Sequence, residues 1–388
     1  MVAAQPRAQD LVYIAIMELP NDLIKEILVR LPLKDILSYK CVCREWYMLI
    51  SNPNFTTYYA QHSPFTTIFL DQYHFCTKSL SLLEFSPNGD FTQIRIKPKI
   101  PEFQDINSNG VTIIGSCDGW LFLLYHAYRP CYLDDRVIDK IYFCNPLFER
   151  CVEIAQDRSP WGDLDYKVGY IPSTNNYKLL RILYNRNRVE EAKIFTIGVD
   201  KDWRIVEDPF TFWEPGSDYE GVCFNGAYHW VTDNENLDNI CTFDLLEEKC
   251  SAIPNPPGLL PFSSENVKLT ILSDRLSVVD YSDCSQMNIW TMEKYGVAES
   301  WFRNISILES WIPHQKHLIN FLPIAVLRNG NLIFSQMYPG NSYYFSLGKK
   351  QCTPFMFLNV DGLVGETMYE NAFGPRFYSL EGIESGGQ

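Results

Sequence analysis

Residues 18–32 read Glu18-Leu19-Pro20-Asn21-Asp22-Leu23-Ile24-Lys25-Glu26-Ile27-Leu28-Val29-Arg30-Leu31-Pro32, and the apolar pattern continues to Trp46, Leu49 and Ile50. Pro20 suits the first turn of a helix, where a missing N–H costs nothing, and Asn21 and Asp22 place polar and acidic groups in that turn. Leu23, Ile27, Leu28 and Leu31 recur at helical spacing, and Pro32 stops the helix. Asp35 to Tyr39 predicts a second short helix, and Cys43 to Ser51 a third. Three helices in about forty residues cannot bury a self-sufficient core. Yet the stretch also carries Leu19, Pro20, Leu31, Pro32, Leu33, Val42 and Trp46. So large an apolar surplus demands a partner.

The combination Leu19-Pro20, Leu23, Ile27-Leu28, Leu31-Pro32-Leu33, Lys40-Cys41-Val42-Cys43-Arg44-Glu45-Trp46 and Leu49-Ile50 resembles the F-box. The resemblance covers about residues 15 to 55. It implies a three-helix module that docks on the Skp-type adaptor of a cullin-RING ubiquitin ligase. The residues it assigns to that contact are Leu19, Pro20, Leu31, Pro32, Leu33, Cys41, Val42, Arg44 and Trp46.

Downstream the character changes. From Phe65 onward, short β-rich runs are punctuated by Gly, Asn, Asp and Pro. One kind of segment recurs, as in Ser81 to Phe85, Ile141 to Cys144, Ile194 to Ile197, Ile240 to Phe243, Asn288 to Thr291 and Tyr343 to Ser346. The starts at 81, 141, 194, 240, 288 and 343 lie 46 to 60 residues apart. Tight-turn signals fall between them, at Cys117-Asp118-Gly119-Trp120, Ser173 to Asn176, Asn225-Gly226, Ser273-Asp274-Arg275 and Arg328 to Asn331. Two hairpins per period make a four-stranded unit, and six units fit from 65 to 388. The reading is an α+β multidomain chain: a small three-helix module, then an all-β, six-bladed β-propeller. A pair of β-sandwiches is the alternative. The expected domains are a tail at 1–14, the helical module at 15–60 and the β domain at 61–388. How the ring closes stays open, and a strand near Phe377 to Ile383 is one way to close it.

These segments also resemble the F-box-associated domain of plant F-box proteins, most of all the pollen S-locus group. The matching phrases are Gly115 to Leu121, Asn145-Pro146-Leu147, Val168-Gly169-Tyr170 with Tyr177 to Ile182, Asn225 to Trp230, Phe243-Asp244-Leu245 and Asn288 to Trp301. Kelch-type double glycines are absent.

Composition fits. Hydrophobic residues are 46% and charged residues 21% of the 388, ordinary for a soluble globular chain, while 14% aromatics favour strands. A net charge of −14 argues against nucleic acid and anionic membrane as partners, and suits a basic protein. The 12 cysteines are scattered without a CxxC. Leu11 to Met17 is a poor signal core, so the reading is a reduced, cytoplasmic or nuclear chain with free cysteines such as Cys144, Cys223 and Cys241 buried in strands. The sequons at Asn54 and Asn304 would then stay unmodified.

Catalytic patterns are missing. The sequence has no G-x-G-x-x-G, P-loop, H-E-x-x-H or G-x-S-x-G. The pair His314-x-x-His317 has no cysteine or carboxylate placed to complete a zinc set, and Asp118 before Gly119 is foremost a turn former. No cofactor, metal or catalytic residue is expected.

In a propeller the hairpin turns lie on one face and the longer connections on the other. The long connections are expected at 126–139, 155–166, 184–192, 207–220, 232–238, 254–266 and 309–320. They carry Tyr132, Asp134, Asp135, Trp161, Asp163, Asp165, Trp213, Asp218, Tyr219, Glu220, Asp233, Glu235 and Asp238 as candidate target contacts. Aromatic anchors among one sign of charge make a recognition surface. The function expected is a non-catalytic substrate receptor: the helices hold the adaptor and the propeller presents a basic target for ubiquitination, for which the S-locus resemblance implies a non-self S-ribonuclease. Alternatives are a receptor for a defence, flowering or hormone-pathway protein, and a non-degradative adaptor.

Overall fold

The computed structural model describes residues 19–64, 66–72, 80–88, 90–96, 111–117, 120–125, 138–145, 150–157, 163–185, 188–207, 221–232, 240–259, 266–312, 318, 321–336, 342–355 and 367–373. Four helices come first: α1 (Asn21–Leu28), α2 (Leu33–Tyr39), α3 (Arg44–Ile50) and α4 (Pro53–His62). Pro20 and Pro32 each sit just before a helix, not inside it, and their fixed φ sets the entry of α1 and α2. The Cys43 sulfur caps α3 by accepting the Trp46 N–H at 3.4 Å. Helix α4 is not among the three helices that the sequence predicts. Its start is nonetheless well marked, with Pro53 in the first turn and Asn52 Oδ1 accepting the Asn54 N–H at 2.8 Å.

After the helices come six four-stranded antiparallel sheets among the described residues. Five are contiguous in sequence: β4 (Val111–Cys117) to β7 (Arg150–Asp157), with β5 (Trp120–Tyr125) and β6 (Asp139–Asn145) between; β8 (Asp163–Ile171), β9 (Asn176–Asn185), β10 (Arg188–Thr196) and β11 (Arg204–Ile205); β12 (Gly221–Phe224), β13 (Ala227–Val231), β14 (Ile240–Asp244) and β15 (Lys249–Ile253); β16 (Val267–Leu272), β17 (Arg275–Asp280), β18 (Gln286–Met292) and β19 (Trp301–Leu308); β20 (Phe321–Val326), β21 (Leu332–Gln336), β22 (Ser342–Ser346) and β23 (Gln351–Phe355). The sixth joins both ends of the domain. Its order is β24 (Thr367–Phe373), β1 (Thr66–Gln72), β2 (Leu80–Phe85), β3 (Phe91–Ile96), with Thr67 opposite Phe373. The first strands touch in succession, β4 to β8 to β12 to β16 to β20 to β24, and β24 returns to β4. The closing strand is therefore 367–373, earlier in the chain than Phe377 to Ile383; 374–388 lie outside the described residues. Each recurring segment picked out in the sequence is the third strand of its sheet.

Tight turns follow the chemistry. Asn225 and Gly226 both take positive φ, 50° and 78°, as do Ser273 and Asp274 at 50° and 56°, the geometry that matches a two-residue hairpin to strand twist. Gly169 is required for another reason: a Cβ there would meet Leu245 Cδ1 at 2.0 Å, where β8 passes under the turn of the next sheet.

Strand β5 shows how the two parts join. It is buried along its whole length, and its residues alternate between two cores. Trp120, Phe122 and Leu124 face the next sheet with Tyr166, Val168 and Leu179. Leu121, Leu123 and Tyr125 share a core with Leu82, Ile113 and the helical residues Ile24, Leu28, Leu33, Ile36, Ile50, Phe55 and Tyr59. Part of the helical surplus is thus spent on the ring itself. A polar tie reinforces the joint: Glu84 on β2 accepts the backbone N–H of Leu33, the first residue of α2, at 2.7 Å. Cys144 and Cys151, opposite each other on β6 and β7, are disulfide-bonded in this core, which corrects the reading of Cys144 as a free thiol. Cys223 and Cys241 are free thiols, half-buried and buried.

Candidate functional site

On α1 the buried residues are Ile24 and Leu28, followed by Val29. Leu23 and Ile27, of the same apolar pattern, are instead 52% and 49% exposed. They stand one turn apart on the outer side. Elsewhere in the module Val42, in the turn after α2, is 40% exposed, Tyr47 and Met48 on α3 are 55% and 61% exposed, and Pro20 and Cys41 are exposed too. An outer apolar surface of this kind is the mark of an interface awaiting a partner. Charges border it: Glu26 and Arg30 pair at 3.6 Å, Lys25 and Asp22 at 3.5 Å. The Lys40 ammonium lies 5.3 Å from the centre of the Tyr47 ring, and burial pulls its pKa down to about 8.

The residues expected to touch an adaptor divide into two groups. Pro20, Cys41, Val42 and Arg44 are exposed. Leu19, Leu31, Pro32 and Trp46 are half-buried; Leu19, Leu31 and Trp46 pack on the joint core, and Trp46 meets Tyr39 edge to face at 5.6 Å. Leu33 is wholly buried against the ring, so its side chain is placed for the joint and not for a partner. Sequence reasoning missed Leu23, Ile27, Tyr47 and Met48 as surface. The signal was present, because four apolar residues spread over both sides of α1 mean a helix covered from both sides.

On the ring, Tyr132, Asp134, Asp135, Trp161, Trp213, Asp218, Tyr219, Glu220, Asp233, Glu235 and Asp238 lie outside the described residues, as do His314 and His317. Asp163 and Asp165 were expected in a loop, but both belong to strand β8. Asp165 pairs with Lys167 at 2.9 Å, each side chain three-quarters or more buried. Burial works against the Lys167 ammonium, but Asp165 outweighs it and lifts the lysine above its ordinary pKa. The neighbouring Asp157 is structural too: buried on β7, it pairs with Arg181 Nε at 2.7 Å, and Arg181 Nη1 reaches Glu191 at 2.8 Å. Asp157 ties β7 to β9 of the next sheet, Asp165 pairs within its own strand, and neither is part of an acidic loop. Among the described residues no cluster of His, Cys, Asp and Glu could hold a metal ion, and no helix is long and apolar enough to cross a membrane.

On the hairpin-turn face, the Tyr295 hydroxyl donates to buried His229 Nε2 at 2.7 Å, linking the turn after β18 to strand β13. Arg204 reaches Glu248 at 2.8 Å, linking β11 to the turn after β14.

Residues 16–58 match the F-box domain, and residues 99–361 match the F-box associated beta propeller domain. The chain belongs to the F-box proteins that carry this propeller domain. This F-box protein is 26% identical over 325 residues to the Arabidopsis thaliana F-box protein At3g07870, covering 74% of this chain and 72% of that one. It is 25% identical to the Arabidopsis F-box/kelch-repeat protein At3g23880, over 74% of this chain and 79% of that one. With the Arabidopsis F-box protein At5g65850 it shares 23% over 91% of this chain and 88% of that one. The match at 16–58 takes in all of α1, α2 and α3, with their exposed apolar side chains, and about half of α4. The exposed apolar side chains thus lie within the F-box, which packs on the propeller domain through a shared core.

Proposed function

We propose that this chain is the substrate-recognition subunit of an SCF-type ubiquitin ligase. The exposed side of the helical module, centred on Leu23, Ile27, Val42, Tyr47 and Met48, docks the Skp-type adaptor, and through it the cullin and RING subunits. The β-ring holds a protein target. The observation that carries this reading is the division of the module: one side is consumed by the ring, while the other leaves large apolar side chains uncovered. The chain itself performs no transfer. It raises the effective concentration of target lysines near the ubiquitin-carrying enzyme.

The test is co-purification of the full chain with a Skp-type adaptor by size-exclusion chromatography, beside Leu23→Glu/Ile27→Glu. Both positions are exposed, so the variant should fold and elute alone. Wild-type protein that folds and ignores the adaptor would sink the proposal.

The target is proposed to be a basic protein, supported by the net charge of −14. Its affinity should then fall as ionic strength rises. The narrower version, a non-self S-ribonuclease met in a cytoplasmic setting, rests on that charge and on the motif resemblance alone.

A further inference from the structure

We propose that Cys144 and Cys151 form a reversible thiol–disulfide site whose state sets how firmly the helical module seats on the ring, with a glutathione-type disulfide as oxidant. This goes beyond target recognition, and its cycling rests on the reading that the chain works in a reducing compartment. Cytosolic disulfides are characteristically transient or redox-sensing, not structural.

Strand register holds the two residues together. Cys144 and Cys151 are direct partners on β6 and β7, with Cα atoms 4.1 Å apart. That spacing belongs to the close pair of an antiparallel ladder, in which facing side chains lie nearest. The ladder on either side, Phe143 to Val152 and Asn145 to Arg150, keeps the two cysteines opposite each other. Oxidation therefore needs no change of strand register.

Access is unequal, which orders the chemistry. Cys144 is buried and Cys151 half-buried. The Cys151 thiolate attacks glutathione disulfide, giving a mixed disulfide and one glutathione thiolate. The Cys144 thiolate then attacks the Cys151 sulfur and expels the second glutathione. The protons of both cysteine thiols end on the two glutathiones, and the couple exchanges two electrons. Burial pushes the Cys352 thiol up to about 12 and also raises that of half-buried Cys223, leaving little thiolate at either.

The consequence follows from where the pair sits. Cys144 belongs to the core that contains Leu33, Ile36, Phe55 and Tyr59 of the helices, and Cys151 packs against it. Reduction replaces one cross-link by two separate thiols inside a close-packed joint, and the seating of the helices loosens with it.

The experiment equilibrates the full-length chain in glutathione couples of increasing oxidised fraction, traps thiols with an alkylating reagent and maps the peptides. In parallel, amide exchange at Leu33 and along α2 reports the joint. The expected result is one linkage, Cys144 to Cys151, that forms and is lost reversibly, with at least tenfold faster exchange along α2 in the reduced form. Cys151→Ser should exchange at the reduced rate in every buffer. A pair that stays dithiol, one that excess reduced glutathione cannot open, or exchange identical in both states overturns the proposal. Adaptor binding, measured separately, decides the ligase reading on its own.

Discussion

Glu84 Oε1 lies 2.7 Å from the backbone nitrogen of Leu33, so a carboxylate of the ring caps the second helix of the F-box. The bond is buried and joins two domains 51 residues apart in sequence. It does what a helix N-cap usually does within one element, but from a different domain.

Burial pushes the Glu84 carboxyl up from 4.5 to about 7, against the pull of the Leu33 N–H and with added repulsion from Asp35. A carboxyl raised in the fold binds its proton more tightly there than in the unfolded chain. Its contribution is full in acid and is lost as pH rises from about 4.5 through about 7. We expect wild-type stability to decline across that window by at most about 3 kcal/mol, and Glu84→Gln, which keeps the acceptor, to flatten the decline. Urea titrations at a series of pH values read this directly. Equal slopes in the two proteins would contradict it.

His229 is buried, and its Nε2 accepts the Tyr295 hydroxyl at 2.7 Å. Burial lowers the imidazole from 6.5 to about 4, so it stays neutral in the fold. Its share of stability is full above about pH 6.5 and falls as pH drops toward about 4. Tyr295→Phe should cost about 1–3 kcal/mol by leaving the ring nitrogen without a donor. Thermal melts at neutral pH test the magnitude, and an unchanged melting temperature would mean that the bond contributes nothing.

Arg181 is nearly inaccessible and pairs with Asp157 of the neighbouring sheet and with Glu191 of the adjacent strand in its own sheet. Arg181→Ala leaves Asp157 buried and uncompensated, at an expected cost of about 3–5 kcal/mol. Arg181→Met with Asp157→Asn should recover much of that loss, as measured by denaturant midpoints. A double variant no better than Arg181→Ala would show that the arginine acts through packing alone.

Strand β24 completes the sheet that β1 begins. Deleting residues 367–388 leaves β1 as an unpaired edge, and the ring should lose its cooperativity. Calorimetry should show a broadened or split transition. A single sharp transition at the wild-type temperature would mean that closure is dispensable.

Much of this architecture was legible because it is local and periodic. The recurring segments of Ile, Phe and Trp are the third strands, mostly buried where their side chains are described, so each sheet repeats the same apolar demand. Asn225-Gly226 and Ser273-Asp274 declare their turns by positive φ. Non-local choices were not legible. Which side of α1 faces inward depends on the ring, because Leu23 and Ile27 are as apolar as Ile24 and Leu28. Asp157 looks like a loop carboxylate until Arg181 arrives from the neighbouring sheet, whereas the partner of Asp165, Lys167, stands two residues on in the same strand. The Cys144–Cys151 pairing depends on hairpin register, which scattered cysteines do not reveal.

The most direct test of the central claim is a hydrogen-exchange footprint of a Skp-type adaptor on the full-length chain. The account predicts protection over residues 20–28 and 41–48, where the uncovered apolar side chains stand, with the sheets β8 to β23 unchanged. Protection confined to the ring, or none at adaptor concentrations that saturate other F-box proteins, would contradict it.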